Sequence, residues 1–323
     1  MSEKSPKNSS SQIQWNAPQI VEKAPIWASI SGILIVVSLI AIIYSFSKFG
    51  APVKLGLDFL GGTKIEYSFI KSDEKLTSGN VRDRVLAKIG EKFAGSSVAQ
   101  VSDNKFLILR TKELSLQNRE KIDELLKQNF GSFNVLSVDT VSGTIGPELL
   151  SSGLIALGVT IVGIMTFIGY RFRRDFAFCG ILALCHDVTI VLGLFAILGI
   201  FRGLEVNTLF LTACLTVLGF SIHDTIVVFD RIRENTKYLS KKRSFTQIIN
   251  ESINQVWFRS LCTSLTTLIT LGCLFVFGGE TTKIFAGAMF VGILTGTYSS
   301  LFVAAVALGK WTEKQAQKKS TRR

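Results

Sequence analysis

The chain has 323 residues, of which 47% are hydrophobic and only 19% charged. A soluble chain of this length carries about a quarter charged residues; here the charge-poor stretches are also clustered, which excludes an ordinary soluble domain and points to a membrane protein. The net charge of +12 sits beside apolar runs without any nucleic-acid motif, so no nucleic-acid partner is expected.

In chain order, residues 1–25, rich in Ser, Asn, Gln and Lys, read as a disordered tail. The apolar run 26–46 reaches membrane-spanning length, roughly 20 residues, and predicts a first transmembrane helix over 26–47. The run is too long for a signal-peptide core and no small-x-small cleavage site follows it, so an uncleaved helix is expected.

Residues 48–147 alternate strand-like and helix-like patterns. KLGLDFLGGTKIEYSFI (54–70) predicts strand, Gly-Gly turn, strand, with Ile65, Tyr67 and Phe69 alternating. KLTSGNVRDRVLAKIGEKF (75–93) places Val81, Val85 and Ile89 at helical spacing behind Thr77 or Ser78 as N-cap. SVAQVSD and KFLILRTK suggest a hairpin around Asp103-Asn104. An amphipathic helix over 115–130 buries Ile122, Leu125 and Leu126, and FNVLSVDTVSG closes as a strand. The order βαββαβ predicts a ferredoxin-like α+β sandwich. That fold hosts many functions and identifies no chemistry by itself. GLDFLGGT (56–63) lacks both GxGxxG and the P-loop Gly-Lys-Ser/Thr, so no nucleotide cofactor is expected and Gly61-Gly62 reads as a tight turn.

A five-helix bundle is expected over 148–309, with apolar runs at 149–170, 176–201, 206–229, 261–278 and 284–309, and a basic tail at 310–323. Together with the first run this predicts a membrane α-helical protein with six transmembrane helices. Residues 50–147 hold 14 Lys/Arg against 12 Asp/Glu, so ten of the twelve net positive charges lie elsewhere. Arg171, Arg173 and Arg174 follow the second run, Arg231, Arg233 and Lys237 the fourth, and Lys310, Lys314 and Lys318 the sixth. By the positive-inside rule both termini are cytoplasmic and 48–147 is translocated, into a periplasmic-side location. The basic cluster at 231–243 also suits contact with a ribosome or with anionic lipid.

Three ionisable positions fall within the runs. Asp187 lies near the middle of the third. Asp224 lies in the fourth, seven residues before Arg231 and so roughly 10 Å of helix from the cytoplasmic end. Arg259 opens the fifth, and a pairing with Asp224 at matched depth is expected, because it lowers the insertion cost of both charges. Thr263, Thr266 and Thr270 follow Arg259 on one helical face, suited to holding water beside Asp224 or to bonding between helices. His186 and His223 each precede an intramembrane Asp and read as auxiliary groups. No metal site is expected, since adjacent helical residues such as His223 and Asp224 diverge by about 100° and no further ligands cluster. Ala288, Gly292, Gly296, Ser300 and Ala304 form a small-residue ridge for helix packing, within the chain or against a partner. All five cysteines lie in or beside the runs and suggest no disulfide framework.

These segments resemble the SecF family, protein-export membrane proteins of the SecD/SecF group that are relatives of the RND transporters. GLDFLGGT resembles the family's Gly-Ile-Asp-Phe-x-Gly-Gly-Thr; LCHDVTIVLGLFAILG (184–199), VLGFSIHDTIVVFDRIREN (217–235) and NQVWFRSLCTSLTTL (254–268) resemble its third-, fourth- and fifth-span signatures. His223 departs from the usual Asn. The resemblance implies a non-enzymatic subunit of the Sec protein translocase in the inner (plasma) membrane. It implies a complex with SecD, SecYEG and SecA acting earlier, and the proton-motive force driving late export of unfolded polypeptide. It places proton passage on Asp224 and Arg259, with Thr263 one turn on; Asp187 is expected on the same pathway. Two other readings remain open: an RND-like proton-coupled efflux transporter for small molecules or lipid, and a non-transporting assembly scaffold.

Overall fold

The structure is a computed structural model that describes residues 20–70, 76–89, 98–102, 105–111, 114–240 and 243–320. The tail expected before residue 20 and the turn expected at Asp103-Asn104 lie outside the described residues. Six helices are long and apolar enough to cross a membrane. They are α1 (Ala24–Phe49), α4 (Ile145–Arg171), α5 (Arg174–Arg202), α6 (Thr208–Leu239), α7 (Phe245–Phe277) and α8 (Glu280–Ser299). The last continues through a π-helical turn, Ser300–Ala304, into α9 (Ala305–Ser320). Between α1 and α4 come β1 (Gly62–Phe69), a helical stretch α2 (78–89), β2 (Val98–Ser102), β3 (Phe106–Thr111), α3 (Leu116–Phe130) and β4 (Phe133–Val141).

The four strands pair antiparallel in the order β2-β3-β1-β4, the ferredoxin-like arrangement. Ile65 stands opposite Leu109 on one side and Val138 on the other. The alternation seen in β1 puts Ile65, Tyr67 and Phe69 on the helix-covered face, where they meet Leu107, Leu109, Val81, Val85, Ile122 and Leu126. Leu125 packs at the margin of this core. Thr77 caps α2 through a bond from Asn80 N, and Ser115 caps α3 through one from Asn118 N.

The first half of 54–70 is not a strand. Leu57–Leu60 is a single helical turn, and Leu55 forms only an isolated parallel bridge to Val206. Its backbone groups find partners in the α5–α6 connection rather than in the sheet: Gly56 N donates to Val206 O at 2.8 Å and Val206 N to Lys54 O at 2.9 Å. A Cβ on Gly56 would lie 2.7 Å from Val206 O, so this crossing requires glycine.

The bundle turns its small residues inward. α1 buries Ser31, Ser38, Ala41 and Ser45, and at Gly193 of α5 an added Cβ would lie 2.2 Å from Ser38. The ridge on α8 packs within the chain, against α6: a Cβ on Gly292 would lie 2.2 Å from Val217 and one on Gly296 3.0 Å from Ser221. Large apolar side chains point outward instead, among them Ile33, Ile40 and Ile43 of α1, Ile155 and Val159 of α4, and Ile269 and Phe277 of α7. Such an apolar surface suits lipid and not water. Ile20 and Val21, at the end of the expected tail, are buried in the same bundle, with Val21 N bonded to Asn250 Oδ1 at 3.2 Å. The five cysteines are all free.

Candidate functional site in the membrane bundle

α6 is capped by Asn207, whose side chain accepts from Phe210 N at 3.1 Å, and runs ten residues past the apolar run that predicted it. α7 starts well before its apolar run, at a capping box made by Ser244 and Gln247. With 32 and 33 residues these helices are about 48–50 Å long, against roughly 30 Å of hydrocarbon. Their adjoining ends, Leu239 of α6 and Phe245 of α7, therefore project beyond the apolar stretches as an antiparallel pair. Polar contacts fix its register: Asn235 Nδ2 donates to Ser252 Oγ and to Gln255 Oε1, both at 2.9 Å, and Arg231 Nε to Gln255 Oε1 at 2.6 Å.

That register corrects the expected pairing of Asp224 with Arg259. Counting along two antiparallel helices from Asn235 opposite Ser252, the position level with Asp224 is near 263–264. Arg259 lies about one turn, ~6 Å, closer to the hairpin end. No ion pair or hydrogen bond joins the two among the described residues. Arg259 is exposed and instead lines a cleft of about 370 Å³ between α6 and α7, with Asp230, Arg231, Glu234 and Gln255.

Asp224 is 3% exposed and faces α8. Its Oδ2 accepts from Thr297 Oγ1 at 3.4 Å, a long contact, and Thr297 Oγ1 lies 2.6 Å from Ser264 Oγ of α7. His223 Nδ1 is 3.9 Å from Asp224 Oδ1, and the His223 side chain is 68% exposed. Three helices thus meet at Asp224 through one hydroxyl relay.

Asp187 of α5 is held more closely and is fully buried. Its Oδ2 accepts from Ser221 Oγ of α6 at 2.5 Å and from Ser299 Oγ of α8 at 2.7 Å, and its Oδ1 lies 2.9 Å from His186 Nδ1. His186 is buried too, beside the Tyr298 ring, and its Nε2 has no partner among the described residues. Ser221 and Asp224 are three residues apart on α6, Thr297 and Ser299 two apart on α8. One helix pair therefore serves both carboxylates, immediately before the π-helical turn Ser300–Ala304. π-turns interrupt the regular ladder and concentrate at functional sites.

Thr263, Thr266 and Thr270 do not join this site. All three are exposed, and their hydroxyls donate back to carbonyls of their own helix, Arg259 O, Thr263 O and Thr266 O. The reading of the sequence missed Ser264, Thr297, Ser221 and Ser299. The hydroxyl-rich stretch GTYSS (296–300) inside an apolar span was the available signal for two of them.

Residues 121–314 match the family described as protein export membrane protein SecD/SecF, C-terminal. The chain belongs to this SecD/SecF family. It is 35% identical over 305 residues to the protein translocase subunit SecF of Synechocystis sp., covering 92% of this chain and 95% of that protein. The subunit SecF of Thermobaculum terrenum is 38% identical over 275 residues, 81% of this chain and 86% of that one. Among solved structures, SecDF from Thermus thermophilus, a translocon-associated membrane protein, superposes with a TM-score of 0.74 at 31% identity; it covers 91% of this chain and 38% of its own. SecDF in a super-membrane-facing form gives 0.65 at 29% identity, with 94% and 40% covered. This SecD/SecF member thus spans nearly all of its curated relatives but only about two-fifths of the solved SecDF chains. With six apolar helices it is a multi-pass membrane protein.

Proposed function

We propose that this chain is a subunit of the Sec protein translocase that works with a SecD-type partner to turn the proton-motive force into late-stage polypeptide export. The observation that carries this reading is the contrast between the two carboxylates. Asp187 has a closed set of close partners, whereas Asp224 is buried with only long contacts, 3.4 Å to Thr297 and 3.9 Å to His223, and no Lys or Arg ion pair among the described residues. A carboxylate so placed is costly in a membrane, and intramembrane ionisable groups of this kind belong to ion pathways.

Protonation of Asp224 removes the charge that Thr297 faces and frees the Thr297–Ser264 pair to reorganise α8 against α7. A proton crossing 100 mV supplies about 2.3 kcal/mol, which biases a two-state bundle by about fiftyfold. Arg259, one turn toward the hairpin end, keeps a positive charge at the mouth of the cleft, and Thr263 continues its face. The exposed His223 side chain lies beside Asp224, with its Nδ1 3.9 Å from Asp224 Oδ1. Asp187 and His186 anchor the deeper end of the pathway.

Basic residues between α4 and α5 and along the α6–α7 hairpin support cytoplasmic termini and a translocated α+β domain that meets the emerging unfolded chain. Exposed Arg259 and His223 at lipid depth call for a protein cover. The SecDF chains, more than twice as long, support a SecD-type half in that position, with SecYEG and SecA acting before it. Relatives that carry a translocase-subunit name over most of the chain favour export over efflux.

The test is Asp224→Asn in proteoliposomes that contain the partner half, SecYEG and SecA. Export stimulation by an imposed proton gradient falls to the no-gradient level while insertion and assembly stay normal. Unchanged gradient stimulation refutes the proposal.

A further inference from the structure

The helix that carries Asp224 is far in sequence from the α+β domain it must move. Chain connectivity ties that domain to α1 and α4, whose outward faces are broadly exposed, and not to α6. Contacts across about 150 residues of sequence supply the missing link. Asp58 Oδ2 accepts from Thr208 N at 3.0 Å and from Thr208 Oγ1 at 2.9 Å. Thr208 is the first residue of α6, so a carboxylate from the segment leading into β1 sits on the positive end of that helix.

Two further contacts flank this one. The backbone exchange of Lys54 and Gly56 with Val206 holds the same segment to the α5–α6 connection. Glu205, in that connection, takes Lys54 Nζ at 3.1 Å and the guanidinium of Arg110, which projects from β3. Lys54 Nζ also donates to Gly203 O at 3.2 Å. Burial first, then the neighbouring Arg110 and Lys48 charges, pull the Lys54 ammonium below the usual lysine range. On the other side the Leu57–Leu60 turn is pressed against the start of α4, where a Cβ on Gly146 would lie 2.8 Å from Gly61 N and 2.9 Å from Phe59 O. The GLDF turn is therefore wedged between the first residues of α4 and of α6.

We infer that Asp58 is the positioning residue that carries displacement of α6 to the α+β domain, with Glu205 as a second tie through Lys54 and Arg110. This rests on the proton-coupled reading of Asp224 given above. Thr208 and Asp224 are 16 residues apart on one continuous helix, about 24 Å, so a shift or rotation at the carboxylate reaches the Asp58 contact without an intervening joint. Asp58 takes no part in holding or transferring the proton.

The experiment measures proton flux and gradient-driven export separately in proteoliposomes holding the full chain with its partner half and channel. Asp58→Ala retains the parent flux and loses gradient stimulation of export by about fivefold or more. Asp58→Asn restores export, because its amide oxygen accepts both Thr208 bonds. Normal export in Asp58→Ala overturns the inference, as does a parallel fall of flux and export, which marks Asp58 as a support of the bundle only. Should Asp58→Ala fail to accumulate, Glu205→Gln carries the test, since it leaves the backbone contacts and Asp58 in place. It weakens export at unchanged flux, and full export in that variant overturns the inference. Asp224→Asn run alongside separates the two readings: full flux there refutes proton coupling at Asp224, whatever Asp58 does.

Discussion

Removing one hydroxyl from the Asp187 site gives a direct measure of how this bundle is held. Ser299→Ala deletes a single oxygen that sits 2.7 Å from Asp187 Oδ2, with Ser221 at 2.5 Å on the same atom and no solvent access. Hydrogen bonds to charged groups contribute about 1.5–3 kcal/mol in soluble proteins, while bonds between membrane helices average about 0.6 and reach about 1.7 kcal/mol. Two donors share one acceptor here, so each single variant, Ser299→Ala or Ser221→Ala, should lose about 1–1.5 kcal/mol. That is about a 5–12-fold shift in the unfolding equilibrium. The double variant strips Oδ2 of both hydroxyls within a closed interior, and an unsatisfied buried acceptor costs about 1–3 kcal/mol more. Its loss should therefore exceed the sum of the singles by about 0.5 kcal/mol or more. Reversible unfolding in bicelles, run as a double-mutant cycle, reads this quantity. Single variants within about 0.3 kcal/mol of the parent, or strictly additive losses, would refute the view that both hydroxyls hold Asp187.

Other consequences are open to the same kind of measurement. Gly292→Leu should destabilise the bundle by about 1–3 kcal/mol through overpacking against Val217, and parent-like unfolding would show that the ridge is not buried there. Arg259→Gln should leave unfolding within about 0.5 kcal/mol of the parent, since no ion pair among the described residues is lost, while proton flux falls; a large loss of stability would mean that Arg259 is paired after all. Tyr67 donates to Asp123 Oδ1 at 2.7 Å, and burial, then that carboxylate, raise the phenol above its usual pKa of 10.0. The folded form then keeps its proton above pH 10 while the unfolded form loses it, so this contribution is complete below that pH and fades as pH rises. Tyr67→Phe should lose about 1 kcal/mol at neutral pH and flatten the alkaline decline in stability, followed by circular dichroism of the full chain. An unchanged alkaline slope would place the titration elsewhere.

Much of this architecture was legible because it rests on local patterns. Alternation in Ile65, Tyr67 and Phe69 marks a half-buried strand whatever its neighbours are, and Thr77 caps the helix that follows it by accepting from the N–H three residues ahead. The ends of α6 and α7 were read too short because hydropathy sees only the lipid-facing stretch, while a capping box and polar hairpin contacts extend both helices beyond it. The stretch 54–60 resembled a strand by composition, yet Gly56 and Asp58 spend their hydrogen bonds on Val206 and Thr208, residues that no window around position 56 contains.

By itself the sequence determined the six spans, the α+β insertion, the net charge of each connection and the presence of carboxylates where lipid makes them costly. Each of these follows from residue types summed over a single segment. Tertiary structure alone decided that Asp224 meets Thr297 instead of Arg259, and that Asp187 gathers Ser221 and Ser299. The physical reason lies in helix rotation and register. They are set where Gly292 and Gly296 let α8 close upon Val217 and Ser221 of α6, a contact between surfaces more than 70 residues apart in the chain.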